Sequence, residues 1–252
     1  MFKRLSLLFI LHFTSSVTLA EDLPAEIISA DKLYELREDH ASAFKALEIY
    51  DQYLKSNPNS VEALWRASMA NYYVGHLEDD KEKRLDYHDK GVKQGKRCHK
   101  LADKSRVECI FWYATNKILY KKDQGTLSLA FGLSNITGLF KLAAKIDPTY
   151  ARSGPYRMLS LIYRKLPGFL GGDNSTAYKY INKARDMFPN EPLNLKIFLE
   201  FLVEDHKSEQ ALKKAKEYLS NHQLSSFTYL ESKNAYKDIQ TLANPGKLLR
   251  KD

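Results

Sequence analysis

Glycine and proline are scarce in this chain, with 11 and 8 in 252 residues. That scarcity leaves room for long uninterrupted helices, because these two residues break helices most strongly. Cysteine is scarcer still: only Cys98 and Cys109. The run Cys98-His99…Cys109 has no recognised ligand spacing, so a thiolate metal site is not indicated. The glycines form no phosphate cradle, since Gly171-Gly172-Asp173 reads as a turn rather than a dinucleotide fingerprint. Histidine occurs at 12, 40, 76, 88, 99, 206 and 222, with no His-x-x-x-His pair. Asp205 and His206 are adjacent, and adjacent residues diverge on a helix. These absences point to a non-catalytic chain without a cofactor or a metal.

What is present is a globular composition, 44% hydrophobic and 28% charged, which argues against disorder. The first twenty residues differ. Lys3 and Arg4 precede a largely apolar run at 5–13, too short to cross a bilayer as a helix. Thr18 and Ala20 then set small residues at −3 and −1 of a cleavage site. Residues 1–20 therefore read as a secretory signal peptide cut after Ala20. The mature chain is expected to begin near Glu21, in the periplasm or secreted, with no lipid-acceptor cysteine after the apolar run. In that oxidising setting the two cysteines suggest one disulfide, Cys98–Cys109, with two unpaired thiols as the alternative.

The formal net charge is +8 and unevenly spread. Residues 81–106 hold ten Lys or Arg against four Asp or Glu. Such a run is either a solvated helix face or a contact surface for anionic lipid or an acidic partner. For an exported chain no nucleic-acid partner is expected, and any membrane contact is peripheral.

Apolar and small residues recur with helical spacing. Tyr156, Leu159, Ser160 and Tyr163 fall on one helix face; Ala177, Ile181 and Ala184 mark a second helix that Pro189 ends. Ala46, Tyr50, Tyr53 and Pro58 keep the spacing of that second helix, as do Ile136, Phe140, Ala143 and Pro148. First-helix positions recur as Trp65, Ser68, Met69 and Tyr72, and as Leu195, Phe198, Leu199 and Leu202. A helix with bulky, Leu, small and Tyr positions, then one with Ala, apolar, Ala and Pro, resembles the tetratricopeptide (TPR) repeat. The resemblance implies an all-α, TPR-like fold over residues 21–252. About five helix-turn-helix pairs stack as a superhelix, closed by a C-terminal capping helix at about 225–243. The first pair is expected at 30–38 and 41–57, after a flexible lead-in at 26–30. The helix after residue 83 is too polar for its register to be read. The three prolines set a period of about 41–45 residues against the usual ~34. The excess is expected in the loops inside each pair, which share one edge of the stack.

A longer motif runs through Gly154-Pro155-Tyr156-Arg157, Leu166-Pro167, Gly171-Gly172-Asp173 and Ala177, with Trp112-Tyr113-Ala114 upstream. It resembles exported bacterial TPR-like proteins, among them the T-components that accompany some TRAP (tripartite, periplasmic-binding-protein-dependent) transporters. That resemblance implies a non-enzymatic helical protein that assists a solute-binding partner outside the membrane.

Two functions are consistent with this pattern. The first is a scaffold that binds a protein or peptide in a concave, partly basic groove. The second is an accessory of solute uptake that binds a small ligand or a periplasmic solute-binding protein. TPR arrays line the concave face from fixed positions of the first helix of each pair. Applied here, these positions give Arg66, Trp112, Arg157 and Lys196, then Asn116, with Tyr73 and Arg164 extending the face. An acidic segment is expected there: Arg157 and Arg164 pair with its carboxylate, Asn116 bonds its backbone and Trp112 stacks.

Overall fold

The computed structural model describes residues 23–244. The expected signal peptide and its cleavage site lie outside them. Eleven α-helices are described, with no strand among the described residues. α1 (Ala25–Glu35) pairs with α2 (His40–Ser56), and α3 (Val61–Leu77) with α4 (Lys81–Leu101). α5 (Val107–Gln124) pairs with α6 (Thr126–Ile146), α7 (Tyr150–Lys165) with α8 (Asn174–Met187), and α9 (Pro192–Glu204) with α10 (Ser208–Asn221). α11 (Leu230–Leu242) follows alone. The fold is an all-α, TPR-like stack of five helix pairs with a terminal helix.

Local chemistry sets the helix starts. Asp39, Ser60, Asp80 and Asp173 each place a side-chain oxygen on free N–H groups at the starts of α2, α3, α4 and α8. Pro192 opens α9, where its missing N–H is one the helix leaves unbonded anyway. Packing follows the repeat spacing. Ala46, Ala143, Ala177, Ala184, Ala211 and Ala215 are fully buried and let the helices approach. Tyr50, Ile136, Phe140 and Ile181, also fully buried, fill the space between them.

α4 explains why its register is illegible. Its buried face is His88, Gly91, Gly95 and Cys98, at helical spacing but without one large apolar side chain. A Cβ on Gly91 would sit 2.3 Å from Asn116 Oδ1, and one on Gly95 would sit 2.7 Å from the Tyr113 Cα. α4 packs by bringing its bare backbone against α3 and α5, a contact that hydrophobicity does not signal. Cys98 in its last turn and Cys109 in the first turn of α5 are bridged, with a Cα–Cα distance of 5.3 Å, and both are fully buried.

Three expectations need correction. The lead-in at 26–30 is the body of α1, because Ile27 and Ala30 are fully buried in one core with Ala43, Ala46 and Tyr50. The extra repeat length lies mainly in helices. α4 and α6 run to 21 residues each, and Gly125 alone, at φ 116°, separates α5 from α6. A helix satisfies its own backbone groups as it lengthens, whereas a loop must leave them to solvent. Only the α7–α8 connection at 166–173 is an insertion; it holds one short 3-10 turn, Gly168–Leu170. Finally, the terminal helix begins at Leu230, after a separate 3-10 turn at Leu224–Ser226.

The start of α7 is unusual. Ala151, Arg152 and Ser153 have φ of 48°, 53° and 64°, so one left-handed turn precedes the right-handed helix. Such a turn costs roughly 1–2 kcal/mol per non-glycine residue. It must be held by its surroundings.

Candidate functional site

Of the first helices of the pairs, α3, α5, α7 and α9 carry the expected site residues. Trp112 and Tyr73 are half-buried on this side of the stack. Trp112 donates Nε1–H to the Tyr150 hydroxyl at 2.8 Å, and its ring lies 5.4 Å from that of Tyr72. Tyr73 donates to the Arg37 carbonyl at 2.9 Å, and its ring meets the edge of Tyr34 at 6.0 Å. Burial pushes the hydroxyls of Tyr34 and Tyr72 above the usual tyrosine value, so both stay protonated.

The cations are not free. Arg66 is buried, stacks on Trp65 at 4.1 Å and pairs with Asp31 of α1 at 2.8 Å and with Glu62 at 2.7 Å. Tyr50 donates to the same Asp31 at 2.6 Å. Arg157 donates to the Ala151 and Arg152 carbonyls, both at 2.7 Å, and to Asn194 Oδ1 on α9 at 2.9 Å. It thereby caps the left-handed turn. Burial lowers its pKa to about 10, so it remains charged at neutral pH. Arg164 reaches Glu204 at 2.7 Å and Asp205 at 2.6 Å, at the end of α9. Lys196 pairs with Glu200 at 3.0 Å and with Asp238 of α11 at 3.4 Å. The cations on the first helices are thus mostly ties between one repeat and the next.

Asn116 is a clear departure from its expected role. It is fully buried beneath Gly91, with its amide donating to the Ser68 carbonyl at 2.8 Å and the Trp112 carbonyl at 3.0 Å. Ser68 in turn donates to the Gly91 carbonyl at 2.8 Å. Both Asn116 protons are engaged inside the stack, so it has none left for a ligand backbone. Its register position is right, but the close approach of α4 covers it.

Two groups escaped the repeat arithmetic because they lie outside its fixed positions. Arg37, in the turn after α1, binds Glu231 of α11. Arg152, in the left-handed turn, stacks on the Tyr229 ring at 3.3 Å and pairs with Glu191 at 3.2 Å. Glu191 is buried; it caps α9 through the Leu193 N–H and accepts from the Ser232 hydroxyl at 2.8 Å. A cleft of about 310 Å³ opens here, walled by Arg152, Glu191, Phe227, Tyr229 and Ser232. A second, of about 300 Å³, lies at the opposite ends of α3–α5, near His76, His88 and Asp123. No group of three or more His, Cys, Asp or Glu among the described residues could hold a metal ion.

The solvent-facing cations sit elsewhere. Lys96, Arg97, Lys100 and Lys104 are exposed at the C-terminal end of α4 and just beyond it, with Arg97 donating to Asn59 Oδ1 at 2.7 Å. Arg84, Lys90, Lys93 and Arg106 in the same basic segment are paired with Asp123, Asp86, Asp89 and Glu62.

A solved structure shares the fold. A thermophilic TPR protein of Thermus thermophilus superposes with a TM-score of 0.61 at 16% identity, over 85% of this chain and 97% of that one. MamA gives a TM-score of 0.49 at 17% identity, over 76% and 92%. A comparison with curated proteins finds no match. Residues 27–154, from α1 through the left-handed turn, match the family described as regulator of microtubule dynamics protein 1-3, and the chain belongs to that family.

Proposed function

We propose that the chain is a non-catalytic scaffold that binds a protein or peptide partner along the first-helix side of its stack, and that it does so after export. The observation that carries the binding reading is the run of half-buried aromatic rings and hydrogen-bonding groups from Tyr73 and Tyr72 to Trp112 and Tyr150. Rings of this kind present large contact area with little conformational freedom to lose. Affinity capture from the native compartment, followed by mass spectrometry, tests it. Trp112→Leu should reduce capture of the partner about tenfold. Capture that survives Trp112→Leu but fails in the double variant Lys96→Glu, Lys100→Glu would move the interface to the basic end of α4.

The accessory role in solute uptake is supported only by the 154–177 motif and the Trp112-Tyr113-Ala114 stretch upstream, and both described clefts are partly walled by charged side chains. The family's description suggests a different partner, the microtubule, for which the exposed lysines of α4 supply the charge. Co-sedimentation with polymerised tubulin tests that reading. Location separates the two: an intact mass beginning near Glu21 supports export, and a retained Met1 in the mature protein overturns it.

A further inference from the structure

The contact between Arg37 and Glu231 joins residues 194 apart in sequence. Arg37 donates from Nε at 3.2 Å and from Nη2 at 2.7 and 2.6 Å to the two carboxylate oxygens. Its guanidinium lies 4.7 Å from the Tyr34 ring centre and 5.6 Å from that of Tyr73, and Nη1 donates to the Tyr34 carbonyl at 3.1 Å. The receiving half is therefore built and buried, with the Arg37 side chain 10% exposed. The occupying half is not: Glu231 is 47% exposed and Tyr229 is 52% exposed.

Two residues before Glu231, Tyr229 lies under Arg152. A carboxylate and an aromatic ring from one short stretch thus meet two guanidiniums, each fixed by other partners. The anchors of α11 lie further along, at Ala235, Tyr236 and Ile239, packed on α9 and α10. Ser232, bonded to Glu191, marks where the anchored part begins. Upstream, the Phe227 ring packs 5.6 Å from that of Tyr236, so only residues 228–231, between these two holding points, can lift away without unpacking the helix.

We propose that the Arg37 guanidinium, set against the Tyr34 and Tyr73 rings, together with Arg152, is a binding site for a partner segment with an aromatic residue followed two positions later by a carboxylate, and that Tyr229-Leu230-Glu231 occupies this site in cis until such a segment displaces it. This rests on the scaffold reading and names its partner chemistry.

The test uses the full chain and two labelled synthetic peptides, one with the sequence of residues 226–234 and one with Gln in place of its Glu. Glu231→Gln should open the site. Amide exchange at 228–231 should speed up at least fivefold, and the acidic peptide should bind at least tenfold tighter than to wild type by fluorescence anisotropy. The Gln peptide should bind at least tenfold more weakly than the acidic one, and adding Arg37→Gln should remove the difference. Arg37→Lys, which keeps the charge, serves as the folding control. Faster exchange with no gain in peptide binding overturns the proposal, and so does unchanged exchange. Either failure leaves the scaffold reading standing if wild type still captures a Trp112-dependent partner; loss of that capture is the failure of the reading itself.

Discussion

At the residue scale, a cation in a repeat protein has two uses, and geometry decides between them. Arg157 holds three internal acceptors, two of them carbonyls of a left-handed turn. Removing it strands those carbonyls and releases the turn. Arg157→Met should therefore cost about 2–4 kcal/mol in urea unfolding, with loss of the helical signal at a lower midpoint. An unchanged midpoint would mean the turn needs no cap. Glu62 makes the opposite kind of prediction. Burial raises its pKa, but bonds from Arg106, Trp65 and Arg66 outweigh that and bring it down to about 2. A carboxylate depressed in the folded state stabilises above its unfolded value of about 4 and loses that contribution as pH falls toward 2. The melting temperature should drop between pH 5 and pH 2, and the drop should be shallower in Glu62→Gln. Equal slopes in the two proteins would remove Glu62 from the account.

At the element scale, the sequence was legible where burial is done by apolar side chains. Ala46, Ile136, Ala143 and Ala177 are all fully buried, each in its expected helix. It was illegible where burial is done by backbone. α4 packs on Gly91 and Gly95, which no hydrophobic periodicity can register. The substitutions that check this have opposite signs. Gly91→Ala or Gly95→Ala should cost about 1–3 kcal/mol by forcing α4 off its neighbours. Gly138→Ala, where a Cβ meets nothing within 4 Å, should stabilise α6 by about 0.5–1 kcal/mol. A neutral Gly95→Ala would show that α4 is not seated on α5. The bridge at the α4–α5 joint acts on the same pair. It closes a loop of sequence separation 11, and its reduction should cost just under about 3 kcal/mol, read as a lower melting temperature in a thiol reductant.

At the scale of the whole molecule, what the sequence could not disclose was which elements meet at a distance. The register correctly placed Arg66 and Lys196 on the first helices, yet their partners Asp31 and Asp238 belong to neighbouring units. Arg37 and Glu231 carry no local signal at all, because their meeting depends on how far the stack has curved by its last turn. In a linear repeat array each unit contacts only its neighbours, and the end units open first. Here the first and last units share a contact. Amide exchange should find α1 and α11 opening together, and Glu231→Gln should let them open separately. Independent opening already in wild type would mean the contact is too weak to couple them.

The same clasp makes the molecule a coil spring fastened across its mouth. A stack of helix pairs normally lengthens under tension by small changes of pitch at each joint, and it yields gradually. Fastening the two ends turns that compliance off until the fastening parts. Pulled from residue 25 against residue 242, this chain should resist stiffly, give one early release as Arg37 loses Glu231, and only then stretch as a soft coil. Cutting the fastening by Glu231→Gln should leave the later joints unaltered and erase the first release.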